Sequence, residues 1–310
     1  MILINKRVAI LGARGIGQLH ARIFYELGVD IVAVLGSTEE TAKKSADSIN
    51  HKYAMSSRPF TNLSLLLDEV MRLDMVSICT PPEFHYEALT SVMDRGLPIF
   101  CEKPLFWSKN LTPLILKESL SFLENHPKRK IHVNTTNTLF LDHVLRFIDS
   151  DDPVTSFEFI FHTQGPFQRE AISEDLLPHA VSLLIRLLGS NHKVSLLKKY
   201  IRKHFCRYNF YFGETEVMFE FQENPKKNKK LSFSINNREF TRFQTGQGST
   251  YQVAMIDELT GEQLPTPDPL YYGIDKFVTQ SKDIHSFFDE FEVAAANLRI
   301  MSNILWEKNI

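Results

Sequence analysis

The chain has 310 residues, with 35 Lys+Arg against 37 Asp+Glu for a formal charge of −2, and 43% of its positions are hydrophobic. This near-neutral balance argues against a broad phosphate-binding face, and no apolar stretch reaches the roughly 18 to 20 residues that span a bilayer. At roughly 150 residues per domain the length suggests two domains, each able to bury a core without staples.

Cys79, Cys101 and Cys206 match no zinc spacing, so no metal site is expected. An odd count, with two of the three inside apolar runs, points to reduced, buried thiols and a cytoplasmic location. Met1 to Leu11 carries a polar Asn5-Lys6-Arg7 and no small-residue cleavage site, so a signal peptide is not expected. The densest basic run, Pro225 to Lys230, has no interleaved aromatic residue. It reads as a solvated hairpin tip and not as a nucleic-acid contact.

Arg7 to Leu11 is a short apolar segment ended by Gly12, as expected of a strand buried on both faces of a parallel sheet. Ile16, Leu19, Ile23, Phe24 and Leu27 then fall at helical spacing, with Gly28 as the stop, and Asp30 to Leu35 is again strand-like. Strand, glycine turn, helix and strand make a βαβ unit. The alternation predicts helices over Thr38 to Asn50, Leu63 to Arg72, Phe84 to Arg95 and Ser108 to Glu124. It predicts strands over Met75 to Cys79, Pro98 to Cys101 and Lys130 to Asn134. Residues 1–130 are therefore expected to form an α/β domain with a doubly wound parallel sheet, and residues 131–310 a second domain. In the latter, Phe157 to His162, Tyr208 to Phe212, Val217 to Phe221, Leu231 to Ile235 and Phe240 to Phe243 carry antiparallel signals, with turns at Gly213-Glu214 and Asn236-Asn237. Asp175 to Leu188 is an apolar helix, and a long helical region runs from Ile274 to Trp306.

Gly12-Ala13-Arg14-Gly15-Ile16-Gly17 stands between the first strand and helix, where free backbone N–H groups and the helix dipole can hold a pyrophosphate. Arg14 occupies the usual middle glycine. The second strand ends Leu35-Gly36-Ser37-Thr38, with no carboxylate before Glu39. Ser37 and Thr38, helped by Arg14, favour a 2′-phosphate and so NADP(H). A return of Glu39 or Glu40 to the ribose would favour NAD(H) instead.

Cys101-Glu102-Lys103-Pro104 falls at the carboxyl edge of the sheet, where Lys103 can hydrogen-bond or exchange a proton with a substrate oxygen, or simply lie in a surface loop. On the apolar helix, Asp175, His179, Ser182 and Arg186 form one polar stripe. It is either the wall of a polar cleft or a solvent-facing edge, with Asp175 as the cap and Pro178 in the first turn. With an ordinary pKa near 6.5, His179 suits proton exchange with an alcohol or carbonyl. His20 and His85 read as capping or packing residues.

Taken in order, GARGIGQLHA (Gly12 to Ala21), Thr80-Pro81-Pro82 with His85, Glu102-Lys103-Pro104, and Asp175 four residues before His179 resemble the Gfo/Idh/MocA oxidoreductase family. The resemblance implies an amino-terminal Rossmann domain and a carboxyl-terminal α+β domain with an open, mainly antiparallel sheet, often in a homodimer or homotetramer. It implies a nicotinamide cofactor near Thr80, Pro81, His85, Glu102 and Lys103, and a sugar-like or cyclitol-like substrate. Lys103 would match the active-site lysine, His179 the acid/base and Asp175 its upstream carboxylate. Ser182 stands where members often carry an Asp. The rival readings are reduction of an imine or conjugated double bond, and a non-catalytic NAD(P)-binding sensor or structural protein.

Overall fold

β1 (Arg7–Leu11) runs through the middle of a six-stranded sheet, with Val8 to Leu11 fully buried. The computed structural model describes residues 6–135, 137–148, 152–246, 250–281 and 289–307. β2 (Asp30–Leu35), β3 (Arg58–Phe60), β4 (Met75–Ile78), β5 (Ile99–Cys101) and β6 (Ile131–Val133) complete that sheet in the order β3-β2-β1-β4-β5-β6, every pair parallel. The chain winds outward from β1 in one direction and from β4 in the other, which opens a crevice beyond their carboxyl ends.

Crossovers are made by α1 (Ile16–Glu26), α2 (Glu39–Tyr53), α3 (Leu63–Glu69), α4 (His85–Asp94) and α5 (Pro113–Glu124). α5 starts five residues after the expected Ser108, because Thr112 caps it by accepting from the Ile115 N–H and Pro113 takes the first helical position.

The second sheet has eight strands: β7 (Ser156–Thr163), β8 (Val194–Arg202), β9 (Phe205–Phe212), β10 (Thr215–Glu223), β11 (Lys230–Ile235), β12 (Arg238–Thr245), β13 (Gln252–Asp257) and β14 (Gln263–Thr266). Their order is β14-β13-β12-β11-β7-β10-β9-β8, antiparallel except at β7/β10. Phe157, Phe159, Phe161, Phe219, Phe221, Phe233 and Phe240 are buried on one face of it. Against that sheet lies α7 (Glu170–Leu188), and α6 (Thr138–Val144) packs on α7. Asn236 and Asn237 both take positive φ at the β11–β12 hairpin, as a two-residue turn of this hand demands.

Three expectations need correction. The lysine-rich segment 225–229 is exposed, but it is no hairpin tip, because β10 and β11 both pair with β7 and the segment crosses the end of that strand. α7 begins at Glu170, so Asp175 is not its cap and Pro178 lies inside it. The final helical region is two helices, α8 (Pro269–Gln280) and α9 (Phe291–Trp306), with Asp289 and Glu290 non-helical.

The chain divides into Met1–Asn134 with Leu270–Ala295, and Thr135–Pro269 with Ala296–Ile310. This differs from a single cut at residue 130. Ile274, Phe277 and Val278 of α8 join the core built on Val8, Ile10 and Phe100, and so carry a distant segment back to the first unit. Among the described residues no helix is long and apolar enough to cross a membrane.

Candidate functional site

A cleft of about 550 Å³ opens beyond the carboxyl ends of β1, β2 and β4. Its walls include Gly12, Ala13 and Arg14 from the glycine turn, Gly36 and Ser37 after β2, and Thr80 and Pro81 after β4. Gly12 sits at φ +86°, and a Cβ there would lie 2.8 Å from the Cys79 carbonyl oxygen; a Cβ on Gly17 would lie 2.1 Å from the Gly12 carbonyl oxygen. Only glycine at both positions lets α1 start directly against β1. Gly15 is the α1 N-cap, Ile16 is the first helical residue, and the first turn has neither a side-chain cap nor an acid, which leaves that positive end open to an anion.

Thr38 caps α2: its hydroxyl accepts from the Thr41 N–H, and the Thr41 hydroxyl answers its backbone in a capping box. It is outside the cleft lining, whereas Thr41 and Ser45, which the sequence reading missed, are part of it. Glu39 lines a neighbouring depression with Lys43, and among the described residues the one acid on the cleft itself is Glu87. The Thr80 hydroxyl is buried with no hydrogen-bond partner among the described residues.

Behind the cleft, Glu102 is a buried structural carboxylate. Its Oε1 accepts from His20 Nε2 at 2.8 Å and Asn134 Nδ2 at 2.7 Å, while His20 Nδ1 meets Ser77 Oγ at 2.8 Å. Burial alone would lower the His20 pKa, but Cys79 and Glu102 outweigh it and raise the value to about 10. Against its own burial, Glu102 is held below the usual carboxylate range by His20 and Asn134. The pair is therefore ionised across the neutral range.

His85 is buried with its ring nitrogens 2.9 Å from the Pro104 carbonyl oxygen and 2.7 Å from that of Thr80. Burial pushes its pKa down, and it ties the two loops together without lining the cleft. Lys103, half-buried, follows Glu102 and precedes Pro104 across a cis peptide. The loop it starts is anchored where the Trp107 N–H donates to the Pro82 carbonyl.

On α7, His179 and Asp175 are half-buried one turn apart. The Asn137 amide donates to His179 Nδ1 at 3.0 Å, which leaves the proton of a neutral ring on Nε2. Phe161 packs edge-on to the imidazole at 5.4 Å between centroids. Ser182 is buried and donates to the His179 carbonyl, and Arg186 pairs with Asp142 on α6 at 2.7 Å. The polar stripe is thus partly a seam with α6, through His179 and Arg186. Asn137 carried no sequence signal, since it lies 42 residues before its partner.

Residues 6–127 match the family described as an oxidoreductase family with an NAD-binding Rossmann fold, GFO_IDH_MocA. This match covers the amino-terminal domain alone. Part of the chain is 33% identical over 100 residues to D-glucoside 3-dehydrogenase of Escherichia coli, covering 32% of this chain and 27% of that protein. A similar stretch is 33% identical over 101 residues to inositol 2-dehydrogenase 4 of Saccharopolyspora erythraea, covering 32% and 28%. These matches span about a quarter of the curated relatives' length. The whole fold is shared with UDP-N-acetylglucosamine 3-dehydrogenase of Acidithiobacillus ferrooxidans, at TM-score 0.73 and 16% identity over 99% of both chains.

A dinucleotide suits this cleft on two local observations: a turn that a Cβ at Gly12 or Gly17 would fill, and the buried hydroxyl of Thr80, unpartnered among the described residues. Of the residues read from sequence, the structure brings Gly12, Arg14, Ser37, Thr80 and Pro81 to the cleft, with Gly15, Ile16 and Gly17 in the adjoining helix start. Thr38, His85, Glu102 and Lys103 are not on its lining. Among the described residues no group of three or more His, Cys, Asp or Glu could hold a metal ion.

Proposed function

We propose that the chain is an NADP(H)-dependent oxidoreductase acting on a hydroxyl or carbonyl carbon of a sugar-like or cyclitol-like small molecule. The observation that carries this reading is the cleft at the β1/β4 reversal, with its closed glycine turn and its unpartnered Thr80 hydroxyl. A bound nicotinamide supplies or accepts the hydride. Gly12 to Gly17 and the α1 amino terminus would hold the pyrophosphate, and Arg14 from the glycine turn and Ser37 after β2, both on the lining, would favour the 2′-phosphate of NADP(H) over the plain ribose of NAD(H). Thr38 would serve them indirectly, by fixing the start of α2.

His179 would exchange the substrate proton through Nε2, oriented by Asn137, and Lys103 would hydrogen-bond and polarise the substrate oxygen. Asp175 would hold a neighbouring hydroxyl. The buried, unbridged state of Cys79, Cys101 and Cys206 supports a cytoplasmic setting. A homodimer or homotetramer is part of the same reading.

The test is turnover on a panel of sugars and cyclitols by wild type, Lys103→Met and His179→Ala. Removing an acid/base costs about 10²- to 10⁴-fold. The reading predicts losses in that range for His179→Ala and a clear loss for Lys103→Met. Variants within a few-fold of wild type would contradict it, and NADP binding without turnover by any substrate would favour a binding protein.

A further inference from the structure

Arg242 on β12 lies on the sheet face that carries Phe240 and Phe233, directly across from the buried Met255 of β13 in the strand register. That face is the buried one, and a half-buried guanidinium on it is out of place. Its Cζ stands 6.0 Å from the centre of the Phe140 ring and 5.8 Å from that of Phe161. Phe161 is the same ring that packs edge-on against His179. Among the described residues no carboxylate pairs with Arg242, and Tyr251 is the titratable group that bears on it. Residues 247–249, which follow β12, are Gln-Gly-Ser and contain no acid. Desolvating an arginine beside aromatic rings, with no anion paired to it among the described residues, costs free energy that an incoming anion recovers.

We propose that Arg242 binds a carboxylate on the substrate beside His179, so that the substrate is a sugar acid and not a neutral sugar. This rests on the oxidoreductase reading above and narrows its substrate class. A guanidinium presents its N–H donors in a planar fork, and a carboxylate answers that fork with two parallel bonds. A single arginine balances a monoanion.

The experiment measures binding by calorimetry, with and without saturating NADP, for glucuronate against glucose and galacturonate against galactose. Glucose 6-phosphate is a further probe, and wild type, Arg242→Gln and Arg242→Lys are compared. At least one acid should bind wild type tenfold or more tightly than its neutral counterpart. Arg242→Gln should abolish the difference with an unchanged thermal midpoint, and Arg242→Lys should keep part of it. Equal binding within every pair, binding of no pair member, or a preference that survives in Arg242→Gln overturns the proposal. Tighter, Arg242-dependent binding of glucose 6-phosphate overturns the carboxylate assignment. Because the readout is binding, it separates from the oxidoreductase reading: loss of turnover in His179→Ala with no acid preference leaves that reading standing and removes this one.

Discussion

Glu102 and His20 form a buried ion pair whose partners lie 82 residues apart in sequence, completed by Asn134 and Ser77. Its stability contribution has a definite pH window. His20 is raised to about 10, so its share is full below the unfolded value near 6.5 and is lost as pH rises through about 10. Glu102 is lowered, so its share is present above about 4.5 and is lost as pH falls through its folded value. Breaking such a pair from one side costs about 3–5 kcal/mol. His20→Gln should lose stability on that scale in urea unfolding at pH 7, and the gap from wild type should narrow at pH 10. A gap that is small at pH 7, or constant to pH 10, would contradict the pairing. His20 reads from sequence as a capping or packing residue because its partners are distant along the chain; Asn137 carries no signal for the same reason. Lys103 and His179 were singled out because they stand in short motifs that, taken in order with the others, carry the family resemblance.

At the scale of elements, the buried parallel strands and their crossover helices were legible because their apolar runs are strong and end at Gly or Pro. α6 and β13 were missed, and so were three strands whose local signal is weak. β3 has three residues, β8 is an edge strand with Lys198 and Lys199 in it, and β14 is an edge strand containing Pro265. α7 was started late because its N-cap is Arg169 at φ 54°, with no capping side chain, while Pro178 within the helix imitated a start.

The glycine turn and the α2 cap make opposite predictions. Gly17→Ala drives a Cβ into the Gly12 carbonyl and should weaken NADPH binding at least tenfold, together with the thermal midpoint. Thr38→Ala removes a capping box worth about 1 kcal/mol and should lower stability while moving NADPH affinity less than threefold. Paired titrations and melting curves check both. A large affinity loss in Thr38→Ala would return that hydroxyl to the cofactor site.

For the whole molecule, the two-domain α/β then α+β plan followed from the change between period and alternation near residue 150. The division of the chain did not, because α8 joins the first unit through Ile274, Phe277 and Val278, a packing choice made about 140 residues after β6. Nothing local marks which core an apolar helix will join. The proposed NADP(H) preference rests on Arg14 in the glycine turn after β1 and Ser37 after β2, both on the cleft lining. The most direct measurement is a pair of fluorescence titrations of the wild-type chain with NADPH and with NADH at equal ionic strength. The account predicts tight NADPH binding, with NADH weaker by tenfold or more, about 1.4 kcal/mol. Equal or reversed affinity would contradict the NADP(H) assignment, and binding of neither would contradict the oxidoreductase reading itself.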